Sequence, residues 1–264
     1  MKTAFAGFDL FDTAMEALAE HSQLTALFTC PVDQEFEHNR RVIGLAEKLS
    51  IPWTDKPISR EDLMRLRQEG CDLLVSAGYY YRIPVDEELP MVNFHPSLLP
   101  EGRGAWPMPV MLLSGMDTGG ITAHKLAADF DQGDILLRRS FPIGKDENLE
   151  EVTGRIRRLL PDMVKELLEN LEGLYAGAVP QQGGSYWKCP REEDYPLSPE
   201  MTVEEADRIL RAFYGFGCIY RSGGKCWQLV RGRACLASAG EGIPDGAFRL
   251  RDGWILEEGT KEFD

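Results

Sequence analysis

Basic side chains are in short supply. The 264 residues carry 29 Lys and Arg against 43 Asp and Glu, a formal net charge of −14. Non-specific affinity for nucleic acid is built from clustered Lys and Arg, so a nucleic-acid partner is not expected. The two short basic groups, Arg155–Arg158 and Arg231–Arg233, read as solvated faces. No apolar run approaches the roughly 20 residues that span a bilayer. The start, with Lys2 and Asp9, does not read as a secretory leader. Six scattered cysteines form no Cys-x-x-Cys pair, which suits reduced thiols in a cytoplasmic enzyme and argues against a disulfide framework or a zinc site. Cys218 and Cys226 flank a turn and could face each other across a hairpin, but buried thiols are the expected state. The first strand-to-helix turn holds the single glycine Gly7, where a dinucleotide site wants Gly-x-Gly-x-x-Gly, so no nicotinamide cofactor is expected.

What is present is an ordinary globular composition, 43% apolar, with strands and helices in alternation. Thr3–Gly7, Leu24–Phe28, Asp72–Ser76 and Val92–Phe94 read as strands. Phe11–Ala19, Asn39–Leu49 and Glu61–Gln68 read as the helices between them. This predicts an α/β fold, a Rossmann-like, mostly parallel sheet with helices on both faces. Pro107–Leu113 reads as a helix opened by proline. Gly120–Leu126 and Ile135–Phe141 add two strands, and Leu149–Ala176 a long amphipathic helix interrupted at Pro161. The polar stretch Val179–Gly184 is the best linker. Beyond it, Thr202 and Glu205 form a capping box that opens a helix to Phe213. Four strands follow, Cys218–Arg221, Cys226–Val230, Ala234–Ala237 and Gly246–Leu256, with Ser222-Gly223-Gly224 as a turn. They predict a small, barrel-like C-terminal β subdomain.

Chemistry concentrates in two loops. Asn93-Phe94-His95-Pro96-Ser97-Leu98-Leu99-Pro100-Glu101-Gly102-Arg103-Gly104 leaves the fourth of the parallel strands, where ligands bind in such sheets. Phe130-Asp131-Gln132-Gly133-Asp134-Ile135-Leu136 joins the two later strands. Asn93 and His95, two apart on a strand, share a face. The Asn93 amide can donate to a developing oxyanion. A carboxylate at Asp131 is expected to raise the His95 pKa and favour its cation, and it or a water it holds can accept the proton of an attacking amine. The plainer alternatives are a capping Asn, a structural His and an Asp-x-Gly turn. Arg103 either binds an anionic group or ties its loop down. Ser97 has no base implied beside it and is not read as a nucleophile. His124 reads as an ordinary strand residue or as a support to the site.

The order Asn-x-His, Ser-Leu-Leu-Pro-x-x-Arg-Gly and Asp-x-Gly, with the joining segment Trp106–Asp129, resembles the formyltransferases that use 10-formyltetrahydrofolate. That resemblance implies direct formyl transfer to a primary amine without a metal, with Asn93, His95 and Asp131 catalytic. The family carboxylate stands immediately before x-Gly, which selects Asp131 over Asp129 and Asp134. It also implies a folate pocket bordered by Tyr80, Tyr81, Arg82, Ile83, Ser97, Leu98, Leu99, Pro100, Arg103, Gly104 and Asp129. The helix and short barrel resemble the accessory domain of methionyl-tRNA and sugar formyltransferases, dividing the chain into catalytic residues 1–182 and accessory residues 183–264. His124 is similar instead to purine-pathway formyltransferases and the folate deformylase.

Methionyl-tRNA would call for a basic face, whereas Thr29–Asn39 carries Asp33, Glu35 and Glu37. The expected acceptor is therefore a nucleotide-linked amino sugar, with methionyl-tRNA or another small amine as alternatives. Hydrolysis of the folate is not expected, since the chain opens at its first strand without a deformylase's N-terminal domain. A homodimer through the β subdomain is an option. The reading from another class is a catalytically silent folate- or nucleotide-binding protein, against which the intact Asn93, His95 and Asp131 argue.

Overall fold

The computed structural model describes residues 1–32, 38–240, 242–257 and 261–263. The acidic positions Asp33, Glu35 and Glu37 lie outside the described residues. In chain order the elements are β1 (Lys2–Gly7), α1 (Asp12–His21), β2 (Gln23–Phe28), α2 (Arg40–Leu49), β3 (Trp53–Thr54), α3 (Arg60–Gln68), β4 (Leu73–Ala77), β5 (Met91–His95), α4 (Pro107–Leu113), β6 (Thr118–Lys125) and β7 (Ile135–Pro142). There follow α5 (Leu149–Glu169), α6 (Leu171–Ala176), α7 (Val203–Ala212), β8 (Cys218–Ser222), β9 (Lys225–Leu229), β10 (Gly232–Leu236), β11 (Phe248–Arg249), β12 (Gly253–Glu257) and β13 (Lys261–Phe263). The chain divides into two compact units. The first comprises Met1–Gly104, Gly120–Phe141 and Thr153–Tyr186; the second comprises Ala105–Gly119, Pro142–Val152 and Trp187–Asp264.

Seven strands make the main sheet in the order β3-β2-β1-β4-β5-β6-β7. Strands β1 to β5 pair in parallel, and β6 runs antiparallel to β5. The chain winds outwards from β1 to β3, then returns to add β4 and β5 on the other side. Right-handed crossovers in opposite directions put their helices on opposite faces, as the α/β reading expects. The apolar runs of β1 and β4 are buried along their length because both faces are covered. Strand β3 has only two residues and carried no sequence signal.

The break expected at Pro161 is absent, and one that was not expected falls at Asn170. Pro161 sits inside α5 without ending it. Proline lacks the N–H that would serve the carbonyl of Arg157, four residues back. The Thr13 hydroxyl donates to that carbonyl instead, at 3.0 Å. The helix ends at Glu169, and α6 starts anew after Asn170.

In the second unit, Thr202 and Glu205 form the reciprocal capping box of α7. Gly223 and Gly224, both at positive φ, make the two-residue turn between β8 and β9. The expected strand Gly246–Leu256 is two strands, β11 and β12. The polar pair Arg251-Asp252 turns the chain, and the Asp252 carboxylate accepts from the Val203 amide at 2.7 Å. The β region forms two three-stranded sheets, β10-β12-β11 and β13-β9-β8. Rings of Tyr220, Trp227 and Phe248 meet at centroid distances of 5.0 to 5.9 Å. Cys218 lies opposite Leu229, and Cys226 opposite Arg221, so the register keeps the two thiols apart. Among the described residues no cysteine forms a disulfide, and no helix is long and apolar enough to cross a membrane.

Candidate active site

The antiparallel register of β5 and β6 sets the site. Asn93 lies opposite His124, and His95 opposite Thr122, so these four side chains share one face of the sheet. The loop before β7 brings in Asp131, whose backbone stands at φ 58, a left-handed conformation that Asp tolerates better than most residues. Its Oδ1 lies 3.3 Å from His95 Nδ1 and 3.6 Å from His124 Nε2. Its Oδ2 accepts the Gly104 N–H at 2.9 Å. The structure thus brings Asn93, His95 and Asp131 together, with His124 as a fourth member, which the sequence left open between an ordinary strand residue and a support to the site. Its register opposite Asn93 is the signal that pairing the two strands would have exposed.

The tautomers follow from the partners. His124 Nδ1 donates to the Lys125 carbonyl at 2.7 Å, leaving Nε2 to accept from Asn93 Nδ2 at 3.2 Å. That fixes the Asn93 amide with nitrogen inwards, and its second N–H can serve another acceptor. His95 Nε2 donates to the Gly102 carbonyl at 2.8 Å, so both ring nitrogens face acceptors. His95 is only 4% exposed. Burial holds its pKa below the ordinary imidazole value, while the Asp131 carboxylate and the Gly102 carbonyl pull upwards. The expected upward shift from Asp131 is therefore present but outweighed by desolvation. For Asp131, burial acts to raise the pKa. The neighbouring imidazoles of His124 and His95 and the Gly104 N–H outweigh it and hold the carboxylate below its usual range. An ionised carboxylate beside an amide donor and two imidazoles can take a proton while the amide binds a developing anion.

The residues of the expected folate pocket fall into three groups. Ser97, Leu99 and Ile83 are buried. Ser97 Oγ donates to the Glu101 carbonyl at 2.8 Å, and Leu99 N–H to Thr122 Oγ1 at 3.1 Å. Ile83 packs in the core with Leu89 and Met91. Leu98 lies against Gly120, where a Cβ would fall 2.2 Å from its methyl carbon. Pro100, Arg103 and Gly104 form the outer loop. Arg103 Nε donates to Gln181 Oε1 at 3.0 Å and its terminal nitrogen to the Gly183 carbonyl at 2.9 Å, so Arg103 ties its loop down. Tyr80, Tyr81, Arg82 and Asp129 lie nearer solvent. Tyr80 is 53% exposed and rests on Phe8, Tyr81 meets Tyr79 edge-on, and Arg82 hydrogen-bonds the Ala128 carbonyl beside Asp129. Arg82 also lies over the ring of Phe130, itself 56% exposed.

The stretch expected as a linker is part of this framework. Val179 pairs with Ile135, Ser185 with Pro100 and Arg103, and Gln181 reaches the Asp131 loop. Among the described residues no group of three or more His, Cys, Asp or Glu is placed to hold a metal ion.

Residues 28–168 match the formyl transferase family model. A methionyl-tRNA formyltransferase of Ehrlichia ruminantium (strain Gardel) is 30% identical over 176 residues, 65% of this chain and 57% of that protein. The match thus spans little more than half the length of that curated relative. Two solved structures share the fold. HypX from Aquifex aeolicus, in complex with tetrahydrofolic acid, superposes with a TM-score of 0.72 at 18% identity, covering 100% of this chain and 44% of that one. An N-formyltransferase from Helicobacter canadensis, in complex with folinic acid and dTDP-3-aminofucose, gives a TM-score of 0.69 at 14% identity, covering 100% of both chains.

Proposed function

The chain belongs to the formyl transferase family, and from that premise we propose that it moves a formyl group from 10-formyltetrahydrofolate to a primary amine. The observation that carries the reading is the convergence of Asn93, His95, His124 and Asp131 on one face of the sheet. The neutral amine attacks the formyl carbon, and the carbonyl electrons move onto oxygen. Asn93 donates its remaining N–H to that oxygen. His95 Nε2–H joins it by exchanging the Gly102 carbonyl for the oxyanion. Asp131 takes the proton released by the amine and returns one to N10 as the bond from carbon to N10 breaks. Tetrahydrofolate and the formamide are the products. Tyr80, Phe130 and Arg82 suit the donor, offering exposed apolar faces for a flat ring and a cation for an anionic tail.

For the acceptor, the relative's name favours methionyl-tRNA. Exposed Arg221, Lys225, Arg233 and Arg249 on the strands of the second unit fit that choice. The second reading, a nucleotide-linked amino sugar, is favoured by the net charge of −14. The division into catalytic residues 1–182 and accessory residues 183–264, and a cytoplasmic setting, belong to the same proposal. The test is tetrahydrofolate release from 10-formyltetrahydrofolate with charged methionyl-tRNA or a panel of amino-sugar nucleotides, each product checked by mass. Turnover with one acceptor names it. Release without any acceptor would make the chain a hydrolase, and absence of release with every amine would refute the transfer.

A further inference from the structure

Both loops that carry the site converge on one side chain outside it. Gln181 lies in the segment between α6 and α7. Its Nε2 donates to the backbone carbonyls of Asp131 and Gly133, each at 2.8 Å. Its Oε1 accepts from Arg103 Nε at 3.0 Å. A single primary amide thus uses both donor hydrogens and its acceptor to lash the Asp131 loop to the Pro100–Gly104 loop. The loop it holds needs holding. Asp131 sits at φ 58, a conformation unfavourable for a residue with a Cβ. Gly133 passes so close to β6 that an added Cβ would stand 1.8 Å from the Lys125 carbonyl oxygen. The opposite loop supplies the Gly104 N–H that grips the Asp131 carboxylate.

We infer that Gln181 is a positioning residue, fixing the Asp131 carboxylate against His95 by bridging the backbone of one loop to the guanidinium of the other. This rests on the formyl transfer proposed above, in which Asp131 handles the proton. Gln181 touches no reacting atom, so its removal displaces the base and leaves the donor's binding surface alone. Displacement of a reacting group by about 1 Å can lower a rate by about 100-fold.

The informative variant is Gln181→Glu. Its carboxylate still accepts from Arg103, but where Nε2 donated it now presents an acceptor to two carbonyls. Gln181→Met is the neutral companion if the charged variant fails to fold, and Arg103→Leu removes the other half of the bridge together with the bond to the Gly183 carbonyl. In steady-state assays Gln181→Glu is expected to lower kcat about 100-fold with the donor KM within twofold of wild type. Combined with Asp131→Asn it is expected to lower kcat no further than Asp131→Asn alone, since both act through one carboxylate. Amide exchange at Gly104, measured on the full chain without substrate, is expected to accelerate in Gln181→Glu and Gln181→Met. A kcat within threefold of wild type, a loss that multiplies with Asp131→Asn, or unchanged exchange at Gly104 would each overturn the inference. Inactivity of the wild type with every acceptor would instead strike the transfer reading, while the exchange measurement would still decide whether Gln181 holds the loop.

Discussion

Asp131→Asn isolates charge from shape. Asn is nearly isosteric with Asp and tolerates the left-handed backbone at φ 58, where Ala would add strain to the loss of the carboxylate. Its carbonyl oxygen can accept from Gly104 N–H while its NH₂ faces His95 and His124. Such a protein is expected to fold, with its thermal midpoint lowered by a few degrees. Activity is another matter. An ionised carboxylate about 3.3 Å from the cation that develops on the attacking amine is worth about 5 kcal/mol to it at an effective dielectric of about 20. At 1.36 kcal/mol per tenfold, that bounds the loss from charge at nearly four decades. General-base assistance alone contributes about 10² to 10⁴. Because one carboxylate supplies both effects, they overlap, and we expect kcat to fall about 10³-fold with the donor KM nearly unchanged. The assay is tetrahydrofolate release under saturating donor and acceptor, with circular dichroism and thermal melting on the same preparation. A folded Asp131→Asn protein that keeps a tenth or more of the wild-type kcat would refute the assignment of proton transfer to this carboxylate.

Replacing Asn93 with Ala deletes a donor to the oxyanion and is expected to lower kcat by about 10² to 10³, read in the same assay against an unchanged donor KM. Asp131 is also a stability probe, because its folded pKa lies below the ordinary aspartate value of about 3.9. Its ionised form therefore stabilises the fold fully above that value, and the contribution is lost as pH falls through the lower folded pKa. The gap in thermal midpoint between wild type and Asp131→Asn should be widest near neutrality and close below about pH 4. Thr13→Val should destabilise by about 1–3 kcal/mol by orphaning the Arg157 carbonyl. In a Pro161→Ala background, where the helix recovers its own N–H, most of that loss should vanish in a denaturant-unfolding cycle; equal losses in both backgrounds would detach Thr13 from that carbonyl.

What was legible in the sequence was whatever short-range pattern carries. The spacing of Asn93 and His95 put both on one strand face, and the alternation of apolar runs with helical patterns produced the parallel sheet. The capping box at Thr202 and Glu205 and the Gly223-Gly224 turn were likewise local and came out as read. Residues were left open or missed where the partner is remote. His124 becomes a site residue only when the register sets it opposite Asn93, 31 positions away. Gln181 looked like linker because a lone polar side chain has no period, and its partners Asp131 and Arg103 are 50 and 78 positions distant.

The break expected at Pro161 is the opposite error, a true local preference overridden from afar. The proline removes one hydrogen bond from α5, as its chemistry requires. What it leaves is a single carbonyl in need of a donor, and a hydroxyl 144 positions away supplies one. The helix therefore continues because the sheet unit brings Thr13 to the gap. The framework around the site works by the same means. In both places a backbone feature unfavourable in isolation, a proline inside a helix or an aspartate at positive φ, persists because one distant side chain satisfies the groups it exposes. Such positions should be the least tolerant of change among the residues that touch no substrate, and Thr13 and Gln181 are where that expectation is most directly measured.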